Sequence, residues 1–97
     1  MTAPSDAAAE SLVQVLVSER LAACGSIVPG LTSIYRWQGA VQTDAEVLVV
    51  LKATARSVPS LIGRAAELHP YDVPEVLVLP VVAGHEPYLE WVRESCS

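Results

Sequence analysis

Residues 47–51, Val-Leu-Val-Val-Leu, are an uninterrupted run of branched aliphatic side chains, and they constrain the fold more than any other segment. In a β-strand, successive side chains point to opposite faces, so such a run predicts a strand that is covered on both faces. The chain has 97 residues, of which 52% are hydrophobic and 18% charged. One domain of that length cannot hide so much apolar surface by itself. We therefore predict a single domain, residues 1–97, that assembles into an oligomer.

The hydrophobic periodicity and the helix start and stop signals predict the order α-β-β-α-β-α along the chain. The first helix is expected to begin at Ser5 or Asp6 and to run to Ala23, with Cys24-Gly25 as its stop signal. The later elements are expected in sequence: a strand over 27–37 with a bulge at Pro29-Gly30, a hairpin connection over 38–44, a strand over 46–54, a helix capped by Ser57, a strand over 75–82 and a closing helix over 88–94.

Charge and composition exclude several partners. The net charge is −5, and the six basic residues are scattered singly, whereas phosphate binding needs a clustered basic face. This excludes nucleic acid, and it also argues against docking on an anionic membrane. No apolar run approaches the roughly 20 residues of a membrane span. The N-terminus shows no secretory pattern, so we expect a cytoplasmic protein with reduced thiols.

The loop His69-Pro-Tyr-Asp-Val-Pro-Glu75 is the main candidate for a binding site. Its two prolines restrict the backbone and hold several polar side chains on a stiff segment. A structural interpretation stays open, in which the prolines end a helix and start a strand while Tyr71 and Asp72 brace the turn. Recognisable catalytic motifs are absent, so we do not expect an enzyme.

Four other residues are candidates for chemistry, each with a structural alternative. Lys52 either extends to the end of the sheet or faces an anion. Trp37 is an interface or core aromatic, or else part of a ligand wall. Cys24 is favoured as core filler over a soft Cu(I) ligand, and Cys96 is expected to be exposed.

Five motifs in order resemble the CutA divalent-ion-tolerance family over residues 2–95. They are Glu19-Arg-Leu-Ala-Ala-Cys24, the segment 29–37 (Pro-Gly-Leu-Thr-Ser-Ile-Tyr-Arg-Trp), Leu51-Lys52, the segment 67–75 (Glu-Leu-His-Pro-Tyr-Asp-Val-Pro-Glu) and Tyr88-Leu-Glu-Trp91. The resemblance implies an α+β, ferredoxin-like βαββαβ fold with an antiparallel sheet and helices on one face. It also implies a homotrimer and a role in tolerance of copper and other divalent metals.

Two departures from the family pattern affect these expectations. Family members begin with an apolar strand that ends in a Thr-Ala-Pro-like tripeptide, and here only Thr2-Ala3-Pro4 corresponds to it, so the first strand is expected to be missing. Copper binding in some members is attributed to a cysteine on that strand and two adjacent histidines. Leu68 occupies the first histidine position, and only His69 matches.

Two functions follow as hypotheses. In the first, a homotrimer binds a divalent metal, copper by resemblance, through His69 with Asp72 and Glu75 as supplementary ligands. In the second, a trimeric regulatory or scaffold module similar to the PII proteins binds a small anionic ligand or a partner protein. Its inter-subunit clefts are lined by Trp37, Lys52, Tyr71 and His69. In either case, the long hairpin is expected to reach a neighbouring subunit, with Trp37 at the interface.

Overall fold

The computed structural model describes residues 1–96 and shows an α+β fold. Its elements are β1 (Thr2–Ala3), α1 (Asp6–Ser18), β2 (Cys24–Trp37), β3 (Ala40–Lys52), α2 (Val58–Leu68) and α3 (Glu86–Ser95). The three strands form an antiparallel sheet in the order β1-β3-β2. Helix α1 packs against all three strands and against α2. No helix within residues 1–96 is long and apolar enough to cross a membrane.

Helix α1 begins as predicted but ends five residues before Ala23, at Ser18. At its start, the Ser5 side chain accepts a hydrogen bond of 3.2 Å from the Ala8 N–H. At its end, the Leu21 N–H donates to the Leu16 carbonyl and Arg20 takes a φ of 61°, which is the Schellman arrangement. The predicted stop at Cys24-Gly25 is wrong because Arg20 adopts the left-handed conformation that glycine usually supplies, and Cys24 opens β2 instead.

The β2–β3 hairpin is longer and tighter than the sequence predicts. Strand β2 already begins at Cys24, and β3 runs from Ala40 rather than Glu46. Only Gln38 and Gly39 separate the strands, and their φ angles are 51° and 81°, as a type I′ turn requires. The predicted connection over 38–44 is therefore mostly strand. The bulge at Pro29-Gly30 is confirmed by a register shift between Val28 and Leu31.

Strand β1 is present, although the sequence predicts that it is missing. Thr2 and Ala3 pair with Leu48 and Val47 of β3. The side chain of Ala3 enters a buried cluster with Val47, Val49 and two residues of α1, Ala9 and Leu12. Two residues of the tripeptide, Thr2 and Ala3, thus form β1, and Ala3 anchors the strand in the core.

The strand predicted over residues 75–82 does not form in the single chain. This segment joins no ladder among the described residues, and its apolar side chains are largely exposed, with Leu79 at 85% and Val82 at 95%. In a split βαβ sheet this strand pairs with the first strand. Here β1 is only two residues long and offers almost no backbone for pairing.

Helix α3 closes the described chain and buries one of the two cysteines. The helix is slightly longer than the predicted 88–94. Cys96 is only 7% exposed and lies in a cluster with Ala23 and Val92, so the expectation that it is exposed is wrong. Residues that follow a helix can still be apolar contacts, and the sequence carries no signal for this one. Both cysteines are free thiols.

Candidate functional site

Both ring nitrogens of His69 are hydrogen bonded to the backbone. His69 directly follows α2 and is 6% exposed. The Tyr71 N–H donates to His69 Nδ1 over 3.1 Å, so Nδ1 is the unprotonated nitrogen of a neutral ring. Nε2 therefore carries the hydrogen and donates it to the Thr2 carbonyl at 2.8 Å. In this arrangement the imidazole has no free lone pair to offer a metal.

The ladder between β1 and β3 explains why Thr2 needs this partner. Met1 exchanges hydrogen bonds with Val49 in both directions, over 3.1 and 2.7 Å. In an antiparallel pair, the next residue turns its backbone groups away from the partner strand. The Thr2 carbonyl therefore points to the outer edge of β1, where His69 satisfies it. A structural role accounts for the histidine fully in this chain.

Tyr71 connects the loop to the sheet. Its hydroxyl donates to Glu46 Oε2 over 2.8 Å, and its ring lies 4.8 Å from the His69 ring at an interplanar angle of 52°. Burial, followed by the hydrogen bond to the Glu46 carboxylate, raises the pKa of Tyr71 to about 12. The phenol thus stays protonated and remains a donor throughout the neutral range.

A pocket of about 640 Å³ lies between the distal half of the hairpin and the loop that follows α2. Its volume is within the range of small-molecule sites. The lining residues are Thr2, Ser33, Ile34, Tyr35, Trp37, Glu46, Pro70, Tyr71, Asp72, Val73 and Glu75. Three of them are carboxylates, three are large aromatics, and none is lysine or arginine. The pocket is therefore acidic and suited to a cation.

Strand alternation brings the sheet residues of the pocket together. Ser33, Tyr35 and Trp37 alternate along β2, and Ser33 pairs with Asp44 in the register of β3. The Tyr35 hydroxyl donates to the Asp44 carboxylate, and this bond raises the pKa of Tyr35. Sequence reasoning misses Asp44 because it assigns 38–44 to a loop, and it misses Glu46 because it treats that residue only as the start of the strand over 46–54. The alternation of Asp44 with Glu46 before the apolar run is the signal that identifies them.

The structure brings together four of the six candidate site residues. Trp37, Tyr71, Asp72 and Glu75 line the pocket, while His69 lies behind Tyr71.

Lys52 does not join them. It pairs with Cys24 at the opposite end of the hairpin from the turn, and its Nζ donates to Ser26 Oγ over 2.9 Å. The cleft expected for an anionic ligand is therefore not assembled in one chain.

A complete metal site is not formed by one chain either. Within residues 1–96, no group of three or more histidine, cysteine, aspartate or glutamate side chains is placed to hold an ion. Cys24 lies apart from the pocket, with its Sγ 3.4 Å from the Tyr88 hydroxyl. The donors that do line the pocket are carboxylate oxygens, which suit hard divalent cations.

The fold and pocket define an α+β protein of the ferredoxin-like class that carries an acidic, aromatic-lined pocket beside its hairpin. The chain belongs to the family described as CutA1 divalent ion tolerance protein, whose model matches residues 1–95. It is 52% identical over 95 residues to the divalent-cation tolerance protein CutA of Thermus thermophilus, covering 98% of this chain and 92% of that protein. Human protein CutA is 43% identical over 94 residues, and the matched region is only 52% of its length.

Solved structures agree with this assignment. The divalent cation tolerance protein Cut A1 of Thermus thermophilus superposes with a TM-score of 0.95 at 51% identity, covering 99% of this chain and 93% of that chain. CutA from Xylella fastidiosa gives 0.96 at 41% identity, covering 99% and 92%. The resemblance noted in the motifs is thereby confirmed at the level of family and fold.

Proposed function

We propose that this protein binds divalent cations in a cleft completed by a neighbouring subunit and thereby contributes to divalent-cation tolerance, without catalysing a reaction. The observation that carries the proposal is the lining of the pocket, which has three carboxylates and no basic side chain. A field of one sign in a concave site concentrates ions of the opposite charge. The name of the Thermus thermophilus relative, divalent-cation tolerance protein CutA, points to the same class of ligand.

Asp72 and Glu75 are the proposed ligands from this chain. Both belong to the exposed loop, and neither carboxylate has an ion pair among those that the described residues form. Copper at His69, as the family resemblance implies, stays a prediction. It requires the ring to give up its bond to Thr2 or to Tyr71, so the carboxylates are the better candidates.

A homotrimer is the proposed source of the missing ligands. One chain leaves apolar side chains exposed along the hairpin and along 73–82, including Trp37 at 44%. Monomeric proteins rarely expose contiguous apolar patches of this kind. A closed ring of copies buries such surfaces without leaving an end that polymerises.

Isothermal titration calorimetry with Cu²⁺, Zn²⁺ and Mg²⁺ tests the proposal. Asp72→Asn combined with Glu75→Gln is expected to weaken binding by about tenfold or more, because charged ligands are replaced by neutral ones of the same shape. Glu10→Gln, an exposed carboxylate on α1, is the matched control and should bind as the wild type does. Equal affinities for the double variant and the wild type would contradict the proposal. His69→Ala separates the two ligand sets, since loss of copper binding in that variant alone would favour the imidazole.

We also propose a cytoplasmic location, because Cys24 and Cys96 are free thiols, which are typical of a reducing compartment. The relatives differ in this respect, since two of them are named as chloroplastic and a solved CutA is named as periplasmic. Cell fractionation of the native source, with detection by antibody, is the direct measurement. Recovery of the protein in the periplasm would contradict this part of the proposal.

A further inference from the structure

We propose that the pocket beside the hairpin binds a guanidinium group, stacked on the Trp37 indole and paired with the Glu46 carboxylate. This inference rests on the proposed preference of the pocket for cations and names a second class of ligand for it. Two sources share this chemistry, a free guanidinium compound and an arginine side chain of a second copy of the chain. Titration with small probes and replacement of exposed arginines separate them.

Glu46 is the main observation. Its residue is 8% exposed and lines the pocket, yet it has no ion pair among those formed by residues 1–96. Among the described residues, its one hydrogen-bond donor is the Tyr71 hydroxyl, on Oε2, whereas a carboxylate can accept about four hydrogen bonds. A buried carboxylate without a cationic partner is costly. The residue lines a cavity that a cation could enter.

The walls of the pocket select the kind of cation. Trp37, Tyr35 and Tyr71 line it, and Trp37 is half-exposed. Aromatic faces attract cations within about 6 Å of the ring centroid, and tryptophan does so best. A guanidinium is planar and weakly hydrated, so it can stack on a ring while its N–H groups bond a carboxylate in a fork.

Fluorescence of Trp37 reports on binding. Trp91→Phe leaves Trp37 as the only tryptophan, and ethylguanidinium, ethylammonium and neutral N-ethylurea serve as probes. We expect a saturable change with ethylguanidinium, a weaker one with ethylammonium and none with N-ethylurea. Glu46→Gln, in which Tyr71 keeps an acceptor, should weaken ethylguanidinium binding by about tenfold or more. Glu10→Gln should leave it unchanged.

The variants Arg36→Met and Arg56→Met distinguish the two sources. Both arginines are exposed and form none of the ion pairs among the described residues. If the pocket takes a free ligand, the Trp91→Phe protein binds ethylguanidinium directly. If a second copy fills it, binding emerges only after one arginine is replaced, together with a smaller assembly in light scattering.

The proposal is overturned if ethylguanidinium binds to none of these proteins, or binds equally well to Glu46→Gln. Divalent-cation binding is measured separately, through Asp72 and Glu75. A failure of either proposal is thus distinguishable from a failure of the other.

Discussion

At the scale of single residues, a series of hydrogen bonds through Glu46, Tyr71 and His69 fixes the pocket to the core. Each member is held by the next, from the Glu46 carboxylate through the Tyr71 hydroxyl and backbone N–H to the imidazole and the Thr2 carbonyl. Buried polar groups are stable only when each finds a partner. These hydrogen bonds therefore order the loop before any ligand binds.

The Tyr71 phenol gives a testable pH dependence. Its pKa is raised from 10.0 to about 12, so folding favours the protonated form. The stability that this provides is complete below about pH 10 and is lost as the pH rises towards 12. In an ultraviolet titration of tyrosinate, Tyr71→Phe should remove a transition near pH 12. Loss of a transition near the ordinary value of 10 would contradict the assignment.

Two glycines predict opposite effects of the same substitution. A Cβ on Gly25 would lie 2.7 Å from Val13 Cγ1 and 2.8 Å from Leu51 Cδ2, whereas one on Gly63 would meet nothing within 4 Å. Gly25→Ala should lower the free energy of unfolding by roughly 1–3 kcal/mol through overpacking. Gly63→Ala, in an exposed part of α2, should raise it by about 0.5–1 kcal/mol. Urea denaturation at equal chain concentration measures both, and a loss of stability in Gly63→Ala would contradict the open surroundings of Gly63 in α2.

The candidate site was partly predictable from the sequence, for reasons that differ between residues. Trp37, Tyr71, Asp72 and Glu75 were identified because aromatic and acidic residues on a proline-locked loop and a strand face are unusual. Whether Lys52 lies in the pocket could not be predicted from the sequence. Its position depends on the β2–β3 register, which places Lys52 opposite Cys24.

At the scale of elements, β2 and β3 form the longest feature of the molecule. They have 14 and 13 residues, and the molecule measures 45 × 25 × 22 Å along its principal axes. Alternation and the bulge at Pro29-Gly30 made the strands recognisable in the sequence. The ends of these strands at the turn were not recognisable in the sequence, because Gln38-Gly39 is a weaker turn signal than Asn-Gly.

The turn itself makes a prediction. Gly39 has a φ of 81°, so Gly39→Ala should destabilise the protein by roughly 1–2 kcal/mol. Gln38, at a φ of 51°, should tolerate asparagine with a small gain in stability, because asparagine favours this conformation. Thermal unfolding followed by circular dichroism compares the three proteins. Equal midpoints for Gly39→Ala and the wild type would contradict the type I′ turn.

The segment 75–82 shows how far local sequence can predict an element. Its run of apolar residues is typical of a strand, and the backbone takes no helical form there. Strand identity, however, requires a ladder, and a ladder depends on the neighbouring strand rather than on the segment. The prediction of a third strand failed for that reason.

At the scale of the whole molecule, one chain leaves apolar surface open on the hairpin and along 75–82. The outward-facing Val50, for example, is 43% exposed, while its neighbour Val49 is buried. The prediction that both faces of 47–51 are covered is thus fulfilled on only one face by the chain itself. The high apolar content indicates that one chain leaves apolar surface exposed, but composition alone does not predict which surface that is.

We expect light scattering after size-exclusion chromatography to give a mass three times 10.3 kDa. Leu79→Lys places a charge on the apolar segment and should reduce the mass or make the assembly dissociate at a higher protein concentration. Ala66→Lys adds the same charge to an exposed position of α2 and is the control. A monomeric wild type at micromolar concentration would contradict the homotrimer.

Because Cys96 is buried against Ala23 and Val92, the rate at which its thiol is labelled reports how often α3 detaches. Cys24 is half-buried, while Cys96 is 7% exposed, so a thiol reagent should label Cys24 promptly and Cys96 only when α3 detaches. The slow phase then reports the free energy of local opening of this helix, separately from global unfolding. It should shorten in dilute denaturant, and Cys24→Ser should leave it as the single phase. Equal labelling rates for the two thiols would mean that α3 is undocked most of the time.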